Sequence, residues 1–195
     1  EHLVDAYESD SSIGIATGKI LYYQNHSIVW YAGGYINHWK GSSDTVGYGK
    51  GDLPEFGTNK YCTFASGCCM LVSVDVIKRV GFMENLYFLY YEDLDFCVRF
   101  LELGYKIIYC GAAVIYHKES VTTKKHSALF TYYLTRNRLL YIKKNEKMPY
   151  CVVAYIYSLL WFLKKCIKKE FNILYMWRGI ADACRETKGK AEFGS

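Results

Sequence analysis

VGFMENLYFLYYEDLDFCVRFLELGYKI, residues 80–107, is the stretch of sequence that decides the fold. Within it the three carboxylates of Glu92, Asp93 and Asp95 fall in four consecutive positions, surrounded by aromatic and aliphatic residues. A buried carboxylate without a neighbouring cation is costly, so chains keep such acids mainly for proton transfer, metal binding or helix capping. The pattern predicts a helix from Glu92 that ends at Gly104, followed by one or two strands.

The composition indicates a globular chain with an excess of aromatic residues. Of its 195 residues, 51% are hydrophobic and 22% charged, which suits one domain, with or without an appendage. Twenty Tyr and four Trp suit a sugar-binding cleft or a membrane interface, although a general bias towards Tyr and Lys explains the excess equally well. Eight Cys without a C-x-x-C pair favour buried free thiols over a zinc site or a disulfide framework.

The residues before this stretch predict strands, short helices and one long loop. β-Branched and aromatic residues bounded by turn residues indicate strands. Five Gly and one Pro in 41–60 predict a surface loop of a length that is usually functional or mobile. The predicted elements are helices at 2–8 and 75–80, strands at 13–23, 27–36 and 61–73, and the loop at 41–60.

After residue 126 the pattern becomes helical, which predicts a domain boundary there. Helices are predicted over 128–144 and about 172–186, on either side of the apolar run 148–163. That run has 16 residues, fewer than the roughly 18–20 that a membrane span needs. Because 143–169 contains seven Lys, we expect it to bind an anionic membrane surface. A soluble helical bundle and a true span are the alternatives, and no nucleic-acid-binding motif is present.

The sequence from Gly67 to Ser120 resembles the C-terminal half of the catalytic domain in glycosyltransferase family 2, of the rhamnosyltransferase-like kind. The matching features are an apolar strand that begins at Gly67, the stretch 80–107, and Tyr116-His117 followed by Ser. The resemblance implies an α/β fold of the GT-A type, a Rossmann-like mixed sheet with flanking helices. Residues 1–126 would be the acceptor-side part of that domain, and 127–195 an appendage of amphipathic helices.

The resemblance also implies a reaction. The expected enzyme is an inverting transferase of the hexosyl or rhamnosyl type, which moves a sugar from a nucleotide-diphosphate sugar to a glycan or lipid-linked acceptor in surface polysaccharide synthesis. Its expected location is cytoplasmic, peripheral on the inner face of the plasma membrane. The alternative is a truncated, non-catalytic fragment that acts as a membrane-surface scaffold.

By the resemblance, Asp93 is the general base and Glu92 orients the acceptor. A carboxylate just before a helix is held by backbone N–H groups, which suits such a base, although simple helix capping is the alternative. Asp95 lies two residues after Asp93, and because positions i and i+2 do not share a helix face, we expect it to be structural. Asp93-Leu94-Asp95 has the form D-x-D, but the resemblance places the metal-binding D-x-D and the nucleotide-binding half before Glu1.

A divalent cation, Mn²⁺ or Mg²⁺, is the cofactor that the resemblance implies, with its main D-x-D ligands outside this chain. His117 would complete the metal or diphosphate site, and an exposed histidine beside Lys118 is the alternative. Lys118, Lys124 and Lys125 would offset the charge of the leaving diphosphate, or simply form a solvated loop.

The substrate contacts implied by the resemblance lie on both sides of the reacting bond. Gly67 and Cys68 would line the donor sugar, because a missing Cβ lets a substrate approach. For Trp30 the alternative role is core packing. Trp30 and Gly34 resemble the strand-and-turn element near the acceptor, and Tyr91 is the remaining substrate-binding candidate.

Overall fold

The computed structural model describes residues 1–118 and 127–193, which form two compact units. The first contains the described part of Glu1–Ile36, Ser43–Met83 and Phe96–Glu119, and the second that of Asn37–Ser42, Glu84–Asp95 and Ser120–Ser195. This division differs from the boundary at residue 126, because the segment before the acidic cluster groups with the C-terminal helices. Lys124 and Lys125 lie outside the described residues.

A four-stranded mixed sheet forms the core of the first unit. Its order is β2-β1-β6-β5, in which β1 and β6 are parallel and the outer strands antiparallel to their neighbours. All residues of β1 except the last are buried, as expected for a central strand that is covered on both faces. The strands are β1 (Ile13–Tyr22), β2 (Asn25–Tyr31), β5 (Lys60–Cys62) and β6 (Lys106–His117), with β3 (Gly34–Asn37) and β4 (Ser42–Thr45) in a separate two-stranded sheet.

Helices accompany this sheet, as the predicted α/β class requires. They are α1 (His2–Glu8), α2 (Val74–Val80) and α3 (Glu92–Glu102), of which the first turn of α3 belongs to the second unit. The Ser73 hydroxyl caps α2 by accepting a hydrogen bond from the Val76 N–H. Gly104 follows α3 with a φ of 82°, the left-handed conformation that glycine adopts at helix ends.

The strand predictions fail at two places. The strand predicted over 27–36 breaks into β2 and β3 because Gly33 has a φ of 93°, which an extended strand does not use. The strand predicted over 61–73 is wrong beyond Cys62, since a turn replaces it in which the N–H of Cys69 donates to the carbonyl of Ser66. The predicted loop 41–60 contains β4 and a short 3₁₀ helix, Pro54–Gly57.

Three helices dominate the second unit: α4 (Ala128–Asn145), α5 (Tyr150–Ile167) and α6 (Ile173–Cys184). Helix α4 is buried along most of its length, and its buried side chains include the polar residues Thr135, Arg136, Asn137 and Arg138. Helices α4 and α6 pack closely at Gly179, where a Cβ would come within 2.9 Å of the Tyr132 carbonyl oxygen.

Helix α5 has one buried edge and a broad exposed apolar side. Ala154, Ser158 and Phe162, spaced four residues apart, are its buried positions. It has 18 residues with a mean hydropathy of 1.4, and 17% of these residues are buried. Among the described residues it is the one helix that is long and apolar enough to cross a membrane, although core helices of soluble proteins meet the same criterion. The exposed apolar residues are Val152, Val153, Ile156, Tyr157, Leu159, Leu160, Leu163 and Ile167.

Candidate functional site

The acidic segment begins with two residues in an unusual backbone conformation. Tyr90 and Tyr91 have φ angles of 66° and 75°, the left-handed region that residues with a Cβ rarely adopt. Each such residue costs on the order of 1–3 kcal/mol and persists only where surrounding contacts hold it. Helix α3 starts immediately afterwards at Glu92, and the Asp93 carboxylate accepts a hydrogen bond of 2.8 Å from the Leu94 N–H. The acid pair Glu92–Asp93 therefore directly follows this strained turn, at the start of helix α3.

The carboxyl group of Glu92 is strongly perturbed by its surroundings. It is half-buried, and its Oε2 has no hydrogen-bond partner in the described part of the chain. Burial, and secondly the charge of Asp93, raise the pKa of Glu92 to about 7. A carboxyl group that titrates close to neutral pH suits proton transfer, because the proton is readily both accepted and released there.

Asp95 is a structural residue, as the sequence predicts. Its side chain is fully buried and accepts hydrogen bonds from Lys144 at 3.1 Å, Asn145 at 3.0 Å and the Tyr87 hydroxyl at 3.3 Å. A carboxylate enclosed in this way is not free to bind a metal ion. Both oxygens of the Asp95 carboxylate therefore already have partners within the protein.

Tyr91 occupies a buried position within the second unit. Its hydroxyl donates to the Gly41 carbonyl at 3.4 Å, and its ring lies 5.4 Å from that of Tyr141. Burial raises the pKa of the Tyr91 phenol to about 12, so the hydroxyl stays protonated at neutral pH. These contacts give Tyr91 an anchoring role, and its contact with substrate stays a prediction.

In the first unit, three predicted site residues lie together. Cys68 Sγ is 3.8 Å from His117 Nε2, and the Trp30 ring packs edge-on against the His117 ring with centroids 4.9 Å apart. They come from the turn after Ser66, the end of β6 and the strand β2, so the sheet brings distant parts of the sequence to one place. Gly67 is exposed beside Cys68.

The structure shows different contacts for the two remaining candidates of this unit, Gly34 and Lys118. A Cβ on Gly34 would lie 2.7 Å from the Phe64 ring, so close packing is sufficient to explain this glycine. The Lys118 ammonium lies 4.3 Å from the centre of the Tyr23 ring, in a cation–π contact.

The described part of the chain does not contain a complete divalent-cation site. Among residues 1–118 and 127–193, no group of three or more His, Cys, Asp or Glu side chains is placed to hold a metal ion. The imidazole of His117 has a thiol for its neighbour, whereas Mg²⁺ and Mn²⁺ prefer oxygen ligands. A role for His117 in metal binding thus depends on ligands outside the described residues.

Sequence reasoning did not identify the polar residues of α4 that contact the acidic segment. The Asn137 amide donates to the carbonyls of Leu89 at 2.6 Å and Tyr90 at 3.1 Å, and Lys144 and Asn145 bind Asp95. The spacing in the sequence could have identified these residues, because positions seven and eight after Asn137 lie two turns further along the same side of a helix.

Comparison with known proteins identifies the class of protein. Residues 2–178 match the family described as Glycosyl transferase family group 2. Because the match covers most of the chain, the chain belongs to this family of glycosyltransferases, and its mixed sheet with flanking helices is consistent with a GT-A-like domain.

One curated relative shows what a similar protein does. Over 100 residues the chain is 27% identical to the low-salt glycan biosynthesis hexosyltransferase Agl10 of Haloferax volcanii. The alignment covers 48% of this chain and 33% of the relative, so the chain spans about a third of the length of that protein.

Proposed function

We propose that this chain is part of an inverting glycosyltransferase that moves a hexosyl or rhamnosyl unit from a nucleotide-diphosphate sugar to a glycan or lipid-linked acceptor. The observation that carries the proposal is the Glu92–Asp93 pair, which follows a strained turn and contains a carboxyl group of pKa about 7. Family membership and the glycan-biosynthesis relative support transfer to an acceptor of surface polysaccharide synthesis.

In the proposed reaction Asp93 accepts the proton of the acceptor hydroxyl. The hydroxyl oxygen then forms a bond to the anomeric carbon of the donor, from the face opposite the nucleoside diphosphate. The bond between that carbon and the diphosphate oxygen breaks, and the diphosphate leaves with the electron pair. Below about pH 7 the Glu92 carboxyl group carries a proton, which gives Glu92 an O–H with which to orient the acceptor.

On the donor side, we assign sugar contacts to Gly67 and Cys68, beside His117. Trp30, which the resemblance places near the acceptor, packs against the same histidine. The exposed backbone of Gly67 admits close approach of a ligand, and the indole of Trp30 offers an apolar surface to a sugar ring. The imidazole of His117 and the ammonium of Lys118 would stabilise the negative charge of the diphosphate.

We further propose that α5 rests on an anionic membrane at the cytoplasmic face. The support is the side of α5 opposite Ala154, Ser158 and Phe162, where the apolar side chains are exposed. Lysines lie at both ends of the apolar run, so an acidic lipid surface would attract the helix while the apolar side enters the interface. The same observation supports the second candidate function, a non-catalytic membrane-surface scaffold.

The two functions are separated by the variant Asp93→Asn in the full-length protein. We expect release of nucleoside diphosphate from a panel of nucleotide sugars to be lost, while binding of the donor in calorimetry persists, because the amide cannot accept the proton. Asp75→Asn is the control, since Asp75 is an exposed acid on α2 whose side chain is 83% accessible. Normal turnover by Asp93→Asn would refute its role as base. A wild-type protein that turns over no donor but binds vesicles would favour the scaffold.

A further inference from the structure

The strained turn before the acid pair needs an external support. Two consecutive residues, Tyr90 and Tyr91, adopt left-handed φ angles, and isolated tyrosines would leave this conformation because of the clash of Cβ with the backbone. A change in either φ would rotate the chain that enters Glu92 and move both carboxylates. The contacts that hold this turn therefore determine where the acids point.

Asn137 on α4 provides such a contact. Its amide nitrogen carries two hydrogens, and it donates to the carbonyl of Leu89 at 2.6 Å and to that of Tyr90 at 3.1 Å. The amide is itself fixed, because Arg136 Nε donates to Asn137 Oδ1 at 2.9 Å, and both side chains are fully buried. Loss of this amide would leave the carbonyls of Leu89 and Tyr90 without the two hydrogen bonds that it supplies.

A second contact from the same helix holds the other side of the acid pair. Lys144 and Asn145, two turns after Asn137, bind the buried carboxylate of Asp95. Side chains on one face of α4 thus bind the chain on both sides of Glu92 and Asp93. They bind the carbonyls of Leu89 and Tyr90 before the pair, and the Asp95 side chain after it.

We propose that Asn137 is a positioning residue for the acid pair: its two hydrogen bonds keep Tyr90 and Tyr91 left-handed and so hold Glu92 and Asp93 in the orientation that proton transfer requires. Asn137 acts through the backbone and does not contact the substrate. The expected effect of Asn137 on catalysis rests on the proposed function. Its expected effect on the titration of Glu92 rests on the structure alone.

The test compares Asn137→Leu, which keeps the approximate volume but has no donor, with the full-length wild-type protein. We expect the turnover number to fall about 10- to 100-fold with an unchanged KM for the donor, because misplacement of a reacting group lowers the rate of the chemical step. The pH of half-titration of Glu92, followed by carboxyl ¹³C NMR, should fall from near 7 towards the value of an ordinary glutamate as the turn relaxes and water reaches the carboxyl group.

Thr135→Val is the matched control. Thr135 is fully buried on the same helix, two residues from Asn137, and its hydroxyl has no hydrogen-bond partner in the described part of the chain. Its isosteric replacement should leave the turnover number and the titration of Glu92 unchanged. If Asn137→Leu does not fold, Asn137→Ala, which removes both donors and adds no charge, is used in its place with the same expected changes.

The outcomes separate positioning from a merely structural role. A folded Asn137 variant with a lower melting temperature but with wild-type titration of Glu92 would overturn the proposal. A variant that shifts the titration of Glu92 supports it. If the wild-type protein transfers no sugar from any donor, the proposed function fails, and the NMR titration still decides whether Asn137 holds the acid pair.

Discussion

Lys144 Nζ lies 2.9 Å from Asp95 Oδ1, and this ion pair joins helix α4 to the first turn of α3. The Asp95 side chain is fully buried, while that of Lys144 is 32% exposed and also contacts Glu84. The Asp95 carboxylate therefore lies at the centre of a polar cluster in which removal of the acid leaves several donors without an acceptor.

Asp95→Ala should destabilise the fold strongly. The substitution leaves the Tyr87 hydroxyl and the Asn145 amide without this buried acceptor, and a buried donor that loses its partner typically costs about 1–3 kcal/mol. Asp75→Ala is the control, because the Asp75–Lys78 pair is exposed and such pairs contribute about 0–1 kcal/mol. Urea denaturation of both variants measures the difference, and equal midpoints would show that the Asp95 cluster is not important for stability.

Glu92→Gln should change how stability depends on pH. The folded state keeps a proton on Glu92 up to about pH 7, whereas the unfolded chain releases it near the ordinary glutamate value of 4.5. Between these values the folded state binds more protons than the unfolded one, so stability is lost as the pH rises from about 4.5 to about 7. With allowance for the partial exposure of Glu92, the loss is about 2 kcal/mol.

The measurement is the unfolding free energy at several pH values between about 4.5 and about 8, which spans the two pKa values of Glu92. The glutamine side chain cannot ionise, so the Glu92→Gln variant should lack this part of the decline and be more stable than the wild type above about pH 7. Glu55→Gln, at an exposed position in the 3₁₀ helix, is the control and should follow the wild-type curve. If Glu92→Gln also follows it, the carboxyl group of Glu92 is not perturbed in solution.

The local patterns predicted much of the fold because they depend on neighbours in sequence. Capping and termination signals predicted α3 with its end at Gly104. The structural role of Asp95 was predicted because positions i and i+2 of a helix lie on different faces. The break at Gly33 was missed because strand-forming residues surround it and only its φ angle reveals the turn. The residues of α4 that hold the acid pair were missed because buried polar groups interrupt the apolar periodicity that marks a packed helix.

The sequence also predicted buried free thiols, and the structure corrects the burial of two of them. All eight cysteines are free, but Cys68 and Cys184 are exposed, whereas three others, Cys62, Cys97 and Cys110, are buried. Iodoacetamide should therefore alkylate Cys68 and Cys184 first, because reaction requires access to the sulfur. Burial also raises the pKa of the Cys62 thiol, which lowers its reactivity further.

Donor binding should protect one of these two thiols. If Cys68 lines the donor sugar, a saturating nucleotide sugar should slow its alkylation several-fold and leave that of Cys184 unchanged. Time-resolved labelling followed by peptide mass spectrometry measures both rates in one sample. Equal rates for Cys68 with and without every donor that the protein binds would exclude Cys68 from the donor site.

The exposed side of α5 predicts which substitutions weaken membrane binding. Leu160 is 62% exposed on this side, and burial of a leucine side chain in the membrane interface contributes roughly 1.5–3 kcal/mol. Leu160→Glu should therefore lower partitioning into vesicles of phosphatidylcholine and phosphatidylglycerol by about 10-fold or more. Flotation of the full-length protein with such vesicles measures the bound fraction.

Leu103→Glu is the control, because Leu103 is 59% exposed but lies in the sheet-containing unit just after α3. It adds the same negative charge as Leu160→Glu, so a decrease caused by charge alone would appear in both variants. If α5 inserts its apolar side, only Leu160→Glu loses binding, and vesicles of phosphatidylcholine alone should retain less protein, because the lysines at the ends of the apolar run then have no acidic lipid to contact. Equal flotation of the two variants would mean that the exposed side of α5 is not the part of the protein that binds the membrane.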